Sequence, residues 1–169
     1  MEPLIHFTIL FTALILINIK FRKALLISLL SLLPDLDAFF LIHRSFSHSI
    51  IVLLIVTIIL LWITHKKQKF QSYVLLGFIG IFSHLILDLF SGYTPILWPL
   101  YNYSLWIKID FIAHIDSSLN FTYNMKIVKN PIDFHPISRL DAPLFTSEGL
   151  IISIILFIAI LIKMFREHQ

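Results

Sequence analysis

The chain has 169 residues, of which 58% are hydrophobic and 14% charged. A soluble domain is nearer half apolar and a quarter charged, and a mean hydropathy of +0.90 points the same way, to an integral membrane protein of one domain. The formal charge of +3 comes without a Lys/Arg run interleaved with aromatics, so no nucleic-acid partner is expected, and the lack of cysteine excludes disulfides and thiolate metal sites.

Five apolar segments follow in chain order. Residues 3–19 end at Lys20. They hold His6 and lack a basic n-region and a small-residue cleavage site, so no cleavable signal peptide is expected. Residues 24–33 are too short to cross a bilayer, which takes about 20 residues, and Pro34 then interrupts the helix. Residues 49–64 form a span closed by His65, Lys66, Lys67 and Lys69. Residues 71–90 form another. Residues 149–165 form the last, with Thr146 or Ser147 as its N-cap.

The 57 residues from Ser91 to Ser147 are mixed, aromatic and Pro-containing, and too long for an idle loop. "YTPILWPLYNYSLWI" suits a membrane interface, and "LNFTYNMKIV" is compatible with a short strand. The expected fold is therefore an all-α membrane protein. It has about five helices, four spanning and one (within 24–42) short or re-entrant. Residues 1–169 form a single polytopic domain, and 91–147 a mixed extracytoplasmic loop over the site.

Alternating the segments puts Lys20, Arg22, Lys23, Lys66, Lys67, Lys69, Lys163 and Arg166 on one face, with Glu167 its one acidic residue. The positive-inside rule makes that face cytoplasmic. The protein would then lie in the cell (inner) membrane, with its long loop and N-terminus outside.

The same alternation gathers the unusual residues at the outer face. These are His6, Asp35 and Asp37 of "LPDLD", His43, Arg44 and His48 of "HRSFSHS", and His84 and Asp88 of "SHLILD". His84 and Asp88, four apart, share a helix face. Ionisable groups near lipid are expensive and usually mark function. Taken singly, each has a plainer reading: an interhelical hydrogen bond for His6, a turn or cap for "PDLD". Together, imidazole and carboxylate suit a divalent metal: zinc first, with manganese or iron as alternatives. Seven candidate ligands (His6, Asp35, Asp37, His43, His48, His84, Asp88) leave room for one ion or for two bridged by Asp35 or Asp37. Arg44 is placed to hold a phosphate oxygen. His114, Asp116 and His135 lie in the outer loop and read as solvated loop residues; His65 and His168 read as turn and tail.

At these residues the sequence resembles the YdjM-like membrane-bound metal-dependent hydrolases, also described as LexA-binding, inner membrane-associated hydrolases. The matching pieces are His6, "LPDLD" at 33–37, "HRSFSHS" at 43–49 (with Ser47 where Thr is usual), "SHLILD" at 83–88 and "SGYTPILWP" at 91–99, covering about residues 6–106. The resemblance implies a multi-helix membrane protein and a metal-dependent hydrolase; LexA binding is not carried over. A looser similarity to zinc-dependent phospholipase C and related nucleases favours a phosphoester.

The expectation is thus a phosphoesterase-like hydrolase acting on a lipid-linked or membrane-adjacent substrate. Water activated at the metal attacks phosphorus, with Arg44 and Asp37 as catalytic groups. Two alternatives stand beside it. One is a metal-ion or proton transporter, which would need polar groups across the whole membrane. The other is a non-catalytic protein whose metal only holds its helices.

Overall fold

The computed structural model describes residues 2–42, 44–115, 119–136, 138 and 143–167. Among them the elements are α1 (Pro3–Leu16), α2 (Phe21–Leu30), α3 (Ile50–Ile63), α4 (Gln68–Ser91), β1 (Tyr103–Ile115), β2 (Leu119–Pro131) and α5 (Ser147–Glu167). Two 3-10 turns, Pro34–Phe40 and Phe46–His48, lie between α2 and α3.

Local chemistry fixes the boundaries. Pro3 opens α1, where a missing N–H costs nothing. Asn18 ends it in the left-handed region, at φ 67°, with Ile19 N–H donating back to the Leu14 carbonyl at 2.9 Å. Ser49 caps α3 by accepting from the amides of Ile51 and Val52. Thr146 caps α5: its hydroxyl accepts from the Gly149 amide at 3.1 Å.

Helices α1 and α5 run side by side in the same direction. Thr8 Oγ1 and Ser153 Oγ lie 3.1 Å apart near one end, and Lys163 Nζ donates to the carbonyls of Ile15 and Leu16 at the other. One apolar cluster joins Leu10, Phe11 and Leu14 of α1 to Ala24 and Ile27 of α2 and Ile160 of α5. A second joins Leu53 of α3, Leu85 of α4 and Ile96. Where α2 meets α4, a Cβ on Gly80 would lie 2.7 Å from the Ile27 carbonyl oxygen. Only glycine allows backbones to approach so closely there.

The expectation of an all-α protein with four spanning helices is overturned. About 59% of the described residues are helical and 17% are strand. Strands β1 and β2 form a two-stranded antiparallel sheet, Tyr103 opposite Pro131 and Ile115 opposite Leu119. Its sequence alternates with period two. Leu105, Ile107, Ile109 and Phe111 share one face, opposite Lys129, Ile127, Met125 and Tyr123, while Ser104, Lys108 and Asp110 point the other way. The Trp/Tyr-rich stretch read as interfacial thus runs into a strand.

Among the described residues two helices are long and apolar enough to cross a membrane, α4 and Ser147–Arg166 of α5. Only 22% and 17% of their apolar windows are buried, as expected of helices that face lipid. Helices α1 and α3 have 14 residues each. They rise about 21 Å, short of a hydrocarbon core of about 30 Å. Asn18, inside the apolar run 3–19, is what cuts α1 short.

Candidate metal centre

Four separate pieces of chain meet at one end of the bundle. The N-terminal turns of α1 bring His6, the first 3-10 turn brings Asp35 and Asp37, the second brings His48, and the last turns of α4 bring His84 and Asp88. Residues 92–98 lie alongside. The Ile50 amide donates to the Ile96 carbonyl, Ser49 Oγ donates to the Trp98 carbonyl, and Thr94 pairs with Leu105 of β1.

Four donors form the centre: Asp35, His48, His84 and Asp88. His48 Nε2 lies 3.3 Å from His84 Nε2, 3.3 Å from Asp88 Oδ2 and 3.6 Å from Asp35 Oδ1. His84 Nε2 lies 3.4 Å from Asp35 Oδ1 and 3.5 Å from Asp88 Oδ2. These five separations of 3.3–3.6 Å, with all four donor atoms within 4.8 Å of one another, place two imidazole nitrogens and two carboxylate oxygens close enough to share one metal ion.

Charge and burial fit a cation as well. The two histidines are fully buried and Asp88 is 1% exposed. Asp35, Asp37 and Asp88 against Arg44 leave two negative charges when the imidazoles are neutral, and an unmatched charge in such surroundings is costly. Protonating both imidazoles would also balance them, but it would aim two N–H groups at each other across 3.3 Å. One divalent ion avoids that conflict.

The surrounding groups hold these donors in place. Asp37 Oδ2 accepts from the Ser45 amide at 2.6 Å and from Ser47 Oγ at 3.2 Å, and lies 3.2 Å from His48 Nδ1. A proton on Nδ1 there leaves the Nε2 lone pair aimed at the centre. Asp37 is thus placed as an orienting group, outside the four donors. Burial alone would raise the carboxyls of Asp35 and Asp37. Hydrogen bonds with His48, joined by His84 for Asp35 and by the Ser45 amide for Asp37, outweigh it and hold both below the ordinary carboxylate range.

Arg44 is buried and committed. Nη2 donates to Asp88 Oδ1 at 3.0 Å and to Ser91 Oγ at 2.7 Å, and Nη1 donates to the Tyr93 carbonyl at 3.2 Å. A Cβ on Gly92 would fall 2.6 Å from Nη1, so the glycine makes room for the guanidinium. Arg44 therefore positions Asp88, beyond the phosphate contact expected from sequence. His6 stacks on His84 with ring centroids 3.9 Å apart, and its Nε2 lies 3.3 Å from Asp88 Oδ1. It borders the centre without being one of the four donors.

His43 and Asp116 lie outside the described residues. His114 meets Thr122 Oγ1 across the sheet at 2.9 Å, and His135 pairs with Asp133 at 2.5 Å; both pairs are solvent-exposed and apart from the centre. The sequence reading missed Glu2, Ser91 and the Gly92–Tyr93 backbone. Ser91 and Gly92 begin the quoted "SGYTPILWP", but nothing in that motif says that Arg44 comes to rest there.

A cavity of about 830 Å³ adjoins the centre, with Asp35, Asp37 and Arg44 in its wall. Its apolar side includes Leu36, Phe39, Leu41 and Leu144.

Fold and site together define a helical membrane protein with a buried His/Asp centre at one end of its bundle. The sequence profile of the YdjM inner membrane protein family matches residues 1–167, and the chain belongs to that family. The match runs through the two strands and last helix, where the sequence reading found no motif. No curated protein and no solved structure matches the chain.

Proposed function

We propose that the protein is a membrane-embedded, metal-dependent hydrolase. It would hold one divalent ion, zinc by donor chemistry, and act on a phosphoester of a lipid-linked or membrane-adjacent substrate. The observation that carries this is the meeting of a four-donor His/His/Asp/Asp set with a cavity that can take a small molecule. A bound ion of this kind supplies a Lewis acid and acidifies water. The chain's part is to fix the donors. Asp37 holds the His48 tautomer, Arg44 holds Asp88, and apolar walls keep bulk water from the substrate. The basic turns at the far ends of the helices favour an extracytoplasmic face for the centre.

The test is metal content of detergent-purified wild type beside a His84→Ala/Asp88→Ala double variant, followed by phosphoester turnover. One equivalent of metal lost in the variant, with turnover that follows the metal, is expected. A folded wild type without metal and without turnover would reject the reading.

A second reading, a metal that only braces the helices, is favoured by one observation: four protein donors leave no open corner. Asp35 discriminates. It is 27% exposed and lines the cavity, whereas the other three donors are buried. On the catalytic reading Asp35→Ala keeps most of the metal and changes turnover. On the bracing reading it lowers metal content and melting temperature together.

A further inference from the structure

Glu2 is a buried carboxylate that the centre does not use. It is 7% exposed, and neither Oε1 nor Oε2 has a hydrogen-bond partner among the described residues. Its backbone carbonyl begins α1 by accepting from the amides of Ile5 and His6, but its side chain caps nothing. It stands four residues from His6, about 6 Å along the axis, and lines the same cavity as Asp35 and Arg44. The carboxylate rests directly on Gly149, in the first turn of α5, where any Cβ would collide with Oε1. The positive end of the α5 dipole makes that position tolerable for an anion. It still leaves a buried charge without a donor, and such groups are costly unless paired.

A cation arriving with a ligand would supply the missing partner. The cavity is lined both by the charged groups Glu2, Asp35, Asp37 and Arg44 and by the apolar side chains of Leu36, Phe39, Leu41 and Leu144. Phe39 is 83% exposed, so this wall opens onto the protein's apolar outer surface. A molecule matching that layout has a hydrocarbon chain, a phosphoester at the centre and a positive group about one helical turn further out.

We propose that Glu2 determines specificity in this cavity by receiving the ammonium group of an amphiphile with a zwitterionic phosphoamine head group. The proposal rests on the hydrolase reading for the phosphoester and on the cavity alone for the ammonium.

Full-length protein in detergent is loaded with zinc and offered two short-chain phospholipids of identical chains, one with a phosphoethanolamine and one with a phosphoglycerol head. Binding is measured by native mass spectrometry, beside metal content and head-group release. Wild type is expected to prefer the amine lipid by about tenfold, the worth of one charge-assisted contact. Glu2→Gln should bind both within about twofold and keep its metal. Gly149→Ala, which must displace the carboxylate, should lose the preference too. A preference that survives in both variants overturns the proposal, as does a wild type with none. Loss of metal in Glu2→Gln also overturns it, since Glu2 would then belong to the centre. Preferential binding without product would reject the hydrolase reading and leave the role of Glu2 standing; turnover indifferent to the head group would reject that role alone.

Discussion

Asp37→Asn tests whether Asp37 orients His48 or binds the metal itself. The substitution keeps size and shape but removes the charge. Asp37 Oδ2 has three neighbours: the Ser45 amide at 2.6 Å, Ser47 Oγ at 3.2 Å and His48 Nδ1 at 3.2 Å. The carboxamide can still accept from Ser45 through its oxygen. It then meets His48 with a neutral acceptor in place of a carboxylate, so the ring is held less firmly and its Nε2 is a weaker base. Outer-shell changes of this kind cost about 10–100-fold in metal affinity, or about 1.4–2.7 kcal/mol. A competition titration against a chelator of known affinity, with the folded variant in detergent, reads this directly. An affinity within about twofold of wild type would refute the orienting role. Loss as complete as that of the His84→Ala/Asp88→Ala variant would refute it differently, by making Asp37 a ligand.

Three further outcomes are expected. Asp88→Ala removes a candidate metal donor and leaves Arg44 buried without its carboxylate; on the proposed function it should lose the metal and about 3–5 kcal/mol of stability while still inserting in membranes, as read by metal analysis, thermal unfolding and membrane fractionation. Gly92→Ala pushes a Cβ to 2.6 Å from Arg44 Nη1, so it should weaken metal affinity by about tenfold through Asp88 in the same chelator titration, and unchanged affinity would show that Arg44 does not position Asp88. Gly80→Ala drives a Cβ into the Ile27 carbonyl oxygen at 2.7 Å and should cost about 1–3 kcal/mol, seen as a lower melting temperature with metal stoichiometry preserved.

Much of the site was legible in sequence because its residues are the wrong ones for lipid. His6, Asp35, Asp37, His48, His84 and Asp88 stand out against an apolar background, and alternating the helices was enough to bring them to one end. Their roles were less legible. The sequence gives no means of telling Asp37 from Asp35, two residues apart; the 3-10 turn does, aiming one at His48 Nδ1 and the other at the two Nε2 atoms. Glu2 gave no signal because one acidic residue near a terminus is ordinary; its meaning comes from Gly149, far away in sequence. The fold was misread in three places. The apolar segment 49–64 forms a helix of only 14 residues, Ile50–Ile63, too short to span. Asn18 was counted inside an apolar run that it terminates, and the alternation in "YSLWIKIDFIAHI" was masked by its Trp and Tyr content.

The connection from Ser31 to Ser49 explains why site and fold depend on the same residues. Irregular backbone near lipid is tolerated only where other groups satisfy it. Asp37 does so for the Ser45 amide, Ser47 Oγ for the Pro34 carbonyl, and Ser49 Oγ for the Trp98 carbonyl. Arg44 sits in this stretch in the left-handed region, at φ 59°. That conformation is uncommon for a side-chain-bearing residue, and contacts to Asp88, Ser91 and the Tyr93 carbonyl surround it. Because α1 and α3 are short, the bundle end cannot be closed by helix alone. It is closed by turns whose backbone needs polar side chains, and those side chains in turn orient the centre. A substitution that loosens the turns should therefore loosen the metal, even where it touches no donor.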